Sequence, residues 1–302
     1  MVQHRFTDWT APIESLWTRN GISIHIKRDD LMDPLISGNK IFKLKENINA
    51  FHNGSFDTLV TFGGAYSNHI AATAALCQEE NIACVGIIRG ERIEPLNPTL
   101  AAAEAQGMKL MFVSRSVYRI RNNSDVQSQL LSSFPSPYCI PEGGANRAGI
   151  VGASAMLNEA TEKYSHIITA VGTGTTLAGM ALQAKPNQEL HGMVIHKHLG
   201  VMEEVLPMHE GLDNALSRVR LHPAHYGGYA KWDESLLQFI RSVFNNYGVR
   251  LDPIYTGKAL FSLNQLVNES YFPEGAEVLF IHTGGLQAIP GFEARFGIKV
   301  FE

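Results

Sequence analysis

The segment Ile36-Ser37-Gly38-Asn39-Lys40-Ile41-Phe42-Lys43-Leu44 sets a lysine directly after Gly and Asn and at the start of a helical pattern, a few residues beyond Lys27-Arg28-Asp29-Asp30-Leu31. A surface charge gains nothing from such a position, whereas an amine held there can reach a buried carbonyl. A lysine that carries a carbonyl-bearing cofactor as a Schiff base needs three companions in the same chain: a cradle for an anionic handle, a contact for a ring and a site for an amino-acid carboxylate. Candidates for all three are present.

Gly172-Thr173-Gly174-Thr175-Thr176 lies between a strand pattern and a helix pattern. Glycines let backbone N–H groups approach a ligand, and a helix N-terminus adds unpaired donors and a positive dipole end, so the run suits a phosphate. It is not a P-loop, because no Lys follows, nor a Gly-x-Gly-x-x-Gly fingerprint. It reads as readily as a glycine turn with threonine helix caps. Gly63-Gly64-Ala65-Tyr66-Ser67-Asn68-His69 occupies a similar junction. Ser67 and Asn68 there are either helix caps or the floor of a carboxylate pocket, and Asn68 could also meet a cofactor hydroxyl. His69 alone reads as structural.

Tyr138-Cys139-Ile140-Pro141-Glu142-Gly143-Gly144 makes a tight turn before a helix, either near a ligand or simply structural. Leu251-Asp252-Pro253-Ile254-Tyr255-Thr256-Gly257-Lys258 is a polar turn before another helix, and its Tyr255 is an acid, a base, a stacking ring or plain packing. His282-Thr283-Gly284-Gly285 again follows a strand pattern. His191, His196 and His198 have no Cys or carboxylate at an evident ligand spacing, so no metal is expected.

The elements that must position these residues alternate. Strand patterns at 58–62, 84–88 and 109–113 are separated by helical stretches at 67–80 and 100–106. The second half repeats this, with strands at 166–171, 189–195 and 277–281 and helices at 147–164, 177–184, 235–246 and 258–270. That spacing predicts parallel βαβ units, whose ligands bind at the carboxyl ends of the strands, where the glycine-rich turns fall. Residues 196–229 are poorly periodic and predict loops and short helices; Pro-bearing stretches at 94–98 and 134–137 predict surface connections.

The chain has 302 residues, 45% hydrophobic, enough for one large or two moderate cores. Its net charge of −4, with no basic block, excludes a nucleic-acid footprint. Cys77, Cys84 and Cys139 are too few and too scattered for a disulfide framework and suit a reducing compartment. No apolar run approaches a membrane span, and the first nine residues lack the apolar core of a signal peptide, so a cytoplasmic protein without membrane partners is expected.

Taken together, Lys27-Arg28-Asp29-Asp30, Ser37-Gly38-Asn39-Lys40, Gly63-Gly64 with Ser67-Asn68-His69, Pro141 to Gly144, Gly172 to Thr176, Asp252 to Lys258 and His282 to Gly285 resemble the fold type II pyridoxal-phosphate enzymes. Within these, they are most similar to the 1-aminocyclopropane-1-carboxylate deaminase and D-cysteine desulfhydrase family. The resemblance implies an α/β fold of two open, twisted, mostly parallel sheets flanked by helices, like the β subunit of tryptophan synthase. It implies a large cofactor domain of residues 1–48 with 141–302, a small α/β domain of 49–140, and a homodimer.

The same resemblance implies pyridoxal 5'-phosphate on Lys40, its ring hydroxyl at Asn68 and its phosphate on Gly172, Thr173, Gly174, Thr175 and Thr176, with Thr256 and Thr283 completing the cofactor site. Ser67 would hold the substrate carboxylate and relay protons, with Asn68, His69 and Tyr66 around it. Tyr255 and Tyr226 resemble the two active-site tyrosines. Position 256 separates the reactions, since deaminases carry Glu there, facing the pyridine nitrogen, and Leu rather than Thr at 283. A carboxylate makes a strong electron sink and a hydroxyl a weak one. Thr256 and Thr283 therefore favour β-elimination of D-cysteine or an analogue, giving pyruvate, ammonia and sulfide. Opening of the cyclopropane to 2-oxobutyrate and ammonia, or elimination of sulfite from cysteate, are the alternatives; a phosphate-ligand binding protein without turnover is the rival from another class. Tyr66 departs from the family, where many members carry Gln.

Overall fold

Asn20 and Gly21 both take positive φ, 54° and 73°, and form the two-residue turn that the right-handed twist of a hairpin favours. They join β1 (Ile13–Arg19) to β2 (Ile22–Lys27), the antiparallel start of the larger sheet. The computed structural model describes residues 10–228 and 230–301. The leader reading of the first nine residues and the end of the aperiodic segment at Tyr229 lie outside them.

After β2 the chain makes α1 (Asn39–Asn53) and then a run of parallel units: β3 (Thr58–Gly63), α2 (Asn68–Glu79), β4 (Cys84–Arg89), α3 (Pro98–Ala105) and β5 (Lys109–Val113). Two short helices, α4 (Arg115–Arg119) and α5 (Ser124–Leu131), precede β6 (Pro137–Ile140). These four strands pair in the order β5-β4-β3-β6, all parallel. The stretch around Pro137, expected as a plain connection, thus enters an edge strand, with Pro137 as its first residue, where a missing N–H costs little.

The larger sheet resumes with α6 (Arg147–Ser154), β7 (His166–Val171), α7 (Thr175–Gln183) and β8 (Glu189–Val194). Then come α8 (Val201–Val205), α9 (Leu212–Ala215), β9 (Val219–Pro223), α10 (Glu234–Tyr247), α11 (Thr256–Asn268), β10 (Glu277–Ile281) and α12 (Ile289–Phe296). Its order is β1-β2-β10-β7-β8-β9, parallel from β2 onward. The fold is α/β with two mostly parallel sheets, as the alternation predicts.

Two boundaries differ from the sequence reading. The helix expected over 147–164 stops at Ser154, because Asn158 starts a new capped turn in which its side chain and that of Thr161 each take the other's backbone N–H. The aperiodic segment holds, besides short helices, the edge strand β9, whose five residues are too few for periodicity to register.

One core cluster joins α1, α2, α6 and α7 around Leu44, Ile48, Ile70, Met180 and Ile281. A second packs α10 and α11 on β2 and β10 through Ile24, Ile26, Leu237, Leu260 and Phe280. The strand ends between these layers carry the polar turns. Among the described residues no helix is long and apolar enough to cross a membrane.

Candidate active site

Gly38 caps α1 at φ 65°, a conformation that an L side chain rarely adopts. A Cβ there would stand 2.1 Å from the carbonyl oxygen of Thr283, which accepts a hydrogen bond from the Asn39 N–H at 3.2 Å. Backbone therefore lies on backbone where α1 meets the loop after β10, and Lys40 follows in the first turn. Its Nζ donates to Asn39 Oδ1 at 2.6 Å. Burial lowers the Lys40 amine to about 8, although the Asp252 carboxylate pulls the other way. That raises the neutral, nucleophilic share of the amine near physiological pH far above that of an ordinary lysine, as attack on a carbonyl requires.

Asn39 Nδ2 donates to Thr176 Oγ1 at 2.8 Å and so ties this turn to the β7–α7 junction. The helix α7 begins at Gly174 without a side-chain cap, which leaves its first N–H groups for a ligand. Thr173 and Thr175 share a hydroxyl hydrogen bond of 3.0 Å beside them. The Tyr255 ring borders this cradle: a Cβ on Gly172 would lie 3.2 Å from Tyr255 Cε1.

Asn68 and His69 enter from the smaller sheet at the start of α2. Asn68 Oδ1 is buried without a hydrogen-bond partner. Thr61 Oγ1 donates to Ile140 O at 2.8 Å, so its hydroxyl accepts from His69 Nε2, also at 2.8 Å. That leaves His69 Nδ1 a bare acceptor, and it too is buried and unpartnered. Burial, then the nearby Lys40 and Lys43, hold His69 well below the usual histidine range, so the ring is neutral. Ser67 is the helix cap: its Oγ accepts the Ile70 N–H at 3.3 Å, and its own proton remains free to donate.

Asp252 organises the opposite wall. Its carboxylate accepts the N–H groups of Ile254, Tyr255 and Thr256 at 2.7 to 2.9 Å and the Thr256 hydroxyl at 2.6 Å. A Cβ on Gly285 would come within 2.9 Å of Asn68 Nδ2 and 3.4 Å of Asp252 Oδ2, so the two walls meet there.

Lys40, Asn68, His69, Gly172 to Thr176, Tyr255, Thr256 and Thr283 are thus gathered at the carboxyl ends of strands. Two predicted residues point elsewhere. The Tyr66 ring packs on α12, where a Cβ at Gly291 would stand 2.5 Å from its Cδ1. The Tyr226 hydroxyl bonds Ser262 at 3.0 Å and Gln265 at 2.8 Å. Ser262 lies about 9 Å along α11 from Thr256, at ~1.5 Å per residue.

The residues present fit pyridoxal phosphate: an amine of lowered pKa, an uncapped helix start flanked by threonine hydroxyls, and buried acceptors awaiting donors. The family model of the pyridoxal-phosphate dependent enzymes matches residues 10–284. The chain belongs to that family. This fold type II enzyme takes pyridoxal phosphate as its cofactor. A bifunctional D-cysteine desulfhydrase/1-aminocyclopropane-1-carboxylate deaminase of Arabidopsis thaliana, mitochondrial by its name, is 30% identical over 294 residues, covering 88% of this chain and 73% of its own. A D-cysteine desulfhydrase of Yersinia pseudotuberculosis is 28% identical over 329 residues, covering 95% and 97%. The crystal structure of an ACC deaminase homologue superposes with a TM-score of 0.82 at 27% identity, covering 95% and 93%. The family enzyme is accordingly a pyridoxal-phosphate dependent lyase of this group.

Sequence reasoning missed two participants. Lys43 sits one turn beyond Lys40, its Nζ donating to Gly143 O at 2.9 Å, and burial beside Lys40 keeps its amine well below the ordinary lysine range. The i, i+3 spacing on a helix was the available signal. Asp252 was legible only as a turn residue, although an Asp three positions before the Tyr that caps a helix start marks a carboxylate that gathers N–H groups.

Proposed function

We propose that this enzyme removes the α-proton and a β substituent from a small amino acid, with D-cysteine giving pyruvate, ammonia and sulfide. The observation that carries the reading is Thr256, a fully buried hydroxyl already bound to Asp252, at the position where a strong electron sink would call for a carboxylate. The name of the Yersinia relative supports the same chemistry, and that of the Arabidopsis relative covers both it and cyclopropane deamination.

In this reading the cofactor, when bound, supplies the electron sink that stabilises charge at Cα. Lys40 would hold its aldehyde carbon, Gly172 to Thr176 its phosphate, and Asn68, whose Oδ1 lacks a donor, its ring hydroxyl. Thr256 and Thr283 close the remaining cofactor wall. Ser67, with a free hydroxyl proton, and the Asn68 amide hold the substrate carboxylate, and His69 shapes that end of the pocket, while the Tyr66 ring stays packed on α12.

Once the substrate amine has taken its place, Lys40 would be free to act as the base. Its amine, lowered to about 8, takes the α-proton onto Nζ, and the substituent on Cβ departs with the pair of the broken Cβ–S bond. Tyr255, beside Gly172, gives a proton to the departing sulfur, while the Tyr226 hydroxyl stays bound to Ser262 and Gln265 on α11. The unsaturated amine is released and hydrolyses in water to pyruvate and ammonia.

Purified enzyme offered D-cysteine, L-cysteine, cysteate and 1-aminocyclopropane-1-carboxylate tests this, with sulfide, sulfite and 2-oxo acid measured. Equal sulfide and pyruvate from D-cysteine is the expected result. Release of 2-oxobutyrate from the cyclopropane, with no sulfide from either cysteine, overturns it.

A further inference from the structure

At the opposite, amino-terminal end of the larger sheet, His166 opens β7 and Glu189 opens β8, paired across the ladder. His191 lies two residues beyond Glu189 and so on the same face of β8. His166 Nδ1 is 3.1 Å from His191 Nε2, and Glu189 Oε2 is 3.6 Å from the first and 3.7 Å from the second. The Glu189 separations are too long for hydrogen bonds. They lie close to the spacing of co-ligands: around a tetrahedral ion with bonds of ~2.0–2.2 Å, neighbouring donors stand roughly 3.3–3.6 Å apart.

Two of the three ligands also have an outer partner. His191 Nδ1 is 3.0 Å from His222 Nε2, and with Nδ1 donating there, Nε2 turns a lone pair toward His166 and Glu189. Arg220 Nε holds the other Glu189 oxygen, Oε1, at 2.9 Å. The rings of Tyr271 and Phe272 wall the cluster, with centroids 5.1 to 5.8 Å from those of the three histidines. His191 is fully buried, and the carboxylate faces the opening to solvent. The six-residue β7 separates this cluster from Gly172 by roughly 20 Å, so it belongs to no part of the cofactor site.

We propose that His166, Glu189 and His191 hold one divalent transition-metal ion, with water as the fourth ligand. Two imidazoles and a carboxylate suit zinc, and the ion pins the start of β7 to that of β8. The carboxylate was within reach of sequence reasoning, since a Glu two residues before a His in a strand shares its face. His166, 25 residues away, was not.

The test uses tag-free, cofactor-loaded enzyme freed of metal by chelator and dialysis. Zinc chloride is titrated calorimetrically, and cobalt chloride is added separately for its visible d–d bands. One zinc per chain with micromolar or tighter affinity, tetrahedral cobalt bands and a raised melting temperature are expected. Glu189→Gln and His166→Asn should each weaken zinc binding at least ~10–100-fold, while His198→Ala, altering the exposed pair with Glu204, should leave it unchanged. Glu189→Gln preserves shape and keeps the test decisive if His166→Asn does not fold. Absence of stoichiometric zinc overturns the proposal, as does undiminished binding by folded Glu189→Gln enzyme or equal loss in His198→Ala.

Discussion

The Thr256 hydroxyl donates to the Asp252 carboxylate at 2.6 Å and accepts the Asp252 N–H at 3.1 Å, so both groups are spent on each other inside one buried turn. That reciprocal pair fixes the start of α11 and the wall carrying Tyr255. Thr256→Val keeps the shape and removes the donor to a buried charge. It should destabilise the protein by about 1–3 kcal/mol in urea denaturation, with Thr256→Ser recovering most of the loss. Equal stability of Val and wild type would show that the pair contributes nothing.

Lys40→Ala should abolish the visible absorbance of the cofactor-loaded enzyme and reduce elimination by at least ~10²–10⁴-fold. Stripped wild-type enzyme should recapture cofactor faster as pH rises through about 8, where burial has brought the Lys40 amine, rather than near 10.5. A variant still yellow after dialysis and still producing sulfide would remove Lys40 from the mechanism.

Lys258 gives a pH dependence independent of the cofactor. Burial lowers its amine to about 8, opposed by Asp252, while its Nζ donates to His225 O at 3.1 Å and Gly228 O at 2.9 Å. Between 8 and 10.5 the unfolded chain binds more protons at this position than the folded one, so this contribution to stability rises with pH across that window and is flat below it. Denaturation midpoints of wild type minus those of Lys258→Met should follow that rise; a flat difference from pH 8 to 10.5 would refute it.

Gly38→Ala confronts both a positive φ and the Thr283 carbonyl 2.1 Å away. Gly297→Ala faces a similar φ, 67°, with nothing within 4 Å. The second should cost about 1–2 kcal/mol, the first clearly more, along with cofactor affinity, read from melting curves and absorbance titration. Equal losses would mean that the α1 start is free to shift.

Local chemistry made much of this protein legible in one dimension. Strands and helices announce themselves by alternation over a few residues, and Gly-Thr or Gly-Gly turns at strand ends mark where backbone N–H groups are left unpaired. Lys40, the 172–176 cradle and the Asn68 junction were all readable in that way. What folding decided are the relations between distant segments. Asn39 reaches Thr176 across 137 positions, and Lys43 reaches Gly143 across 100. The Tyr226 hydroxyl turns to α11, and His166 meets His191 only because β7 and β8 are neighbours in the sheet. Periodicity cannot report such pairings, since they depend on strand order and register, which the packing of whole layers sets.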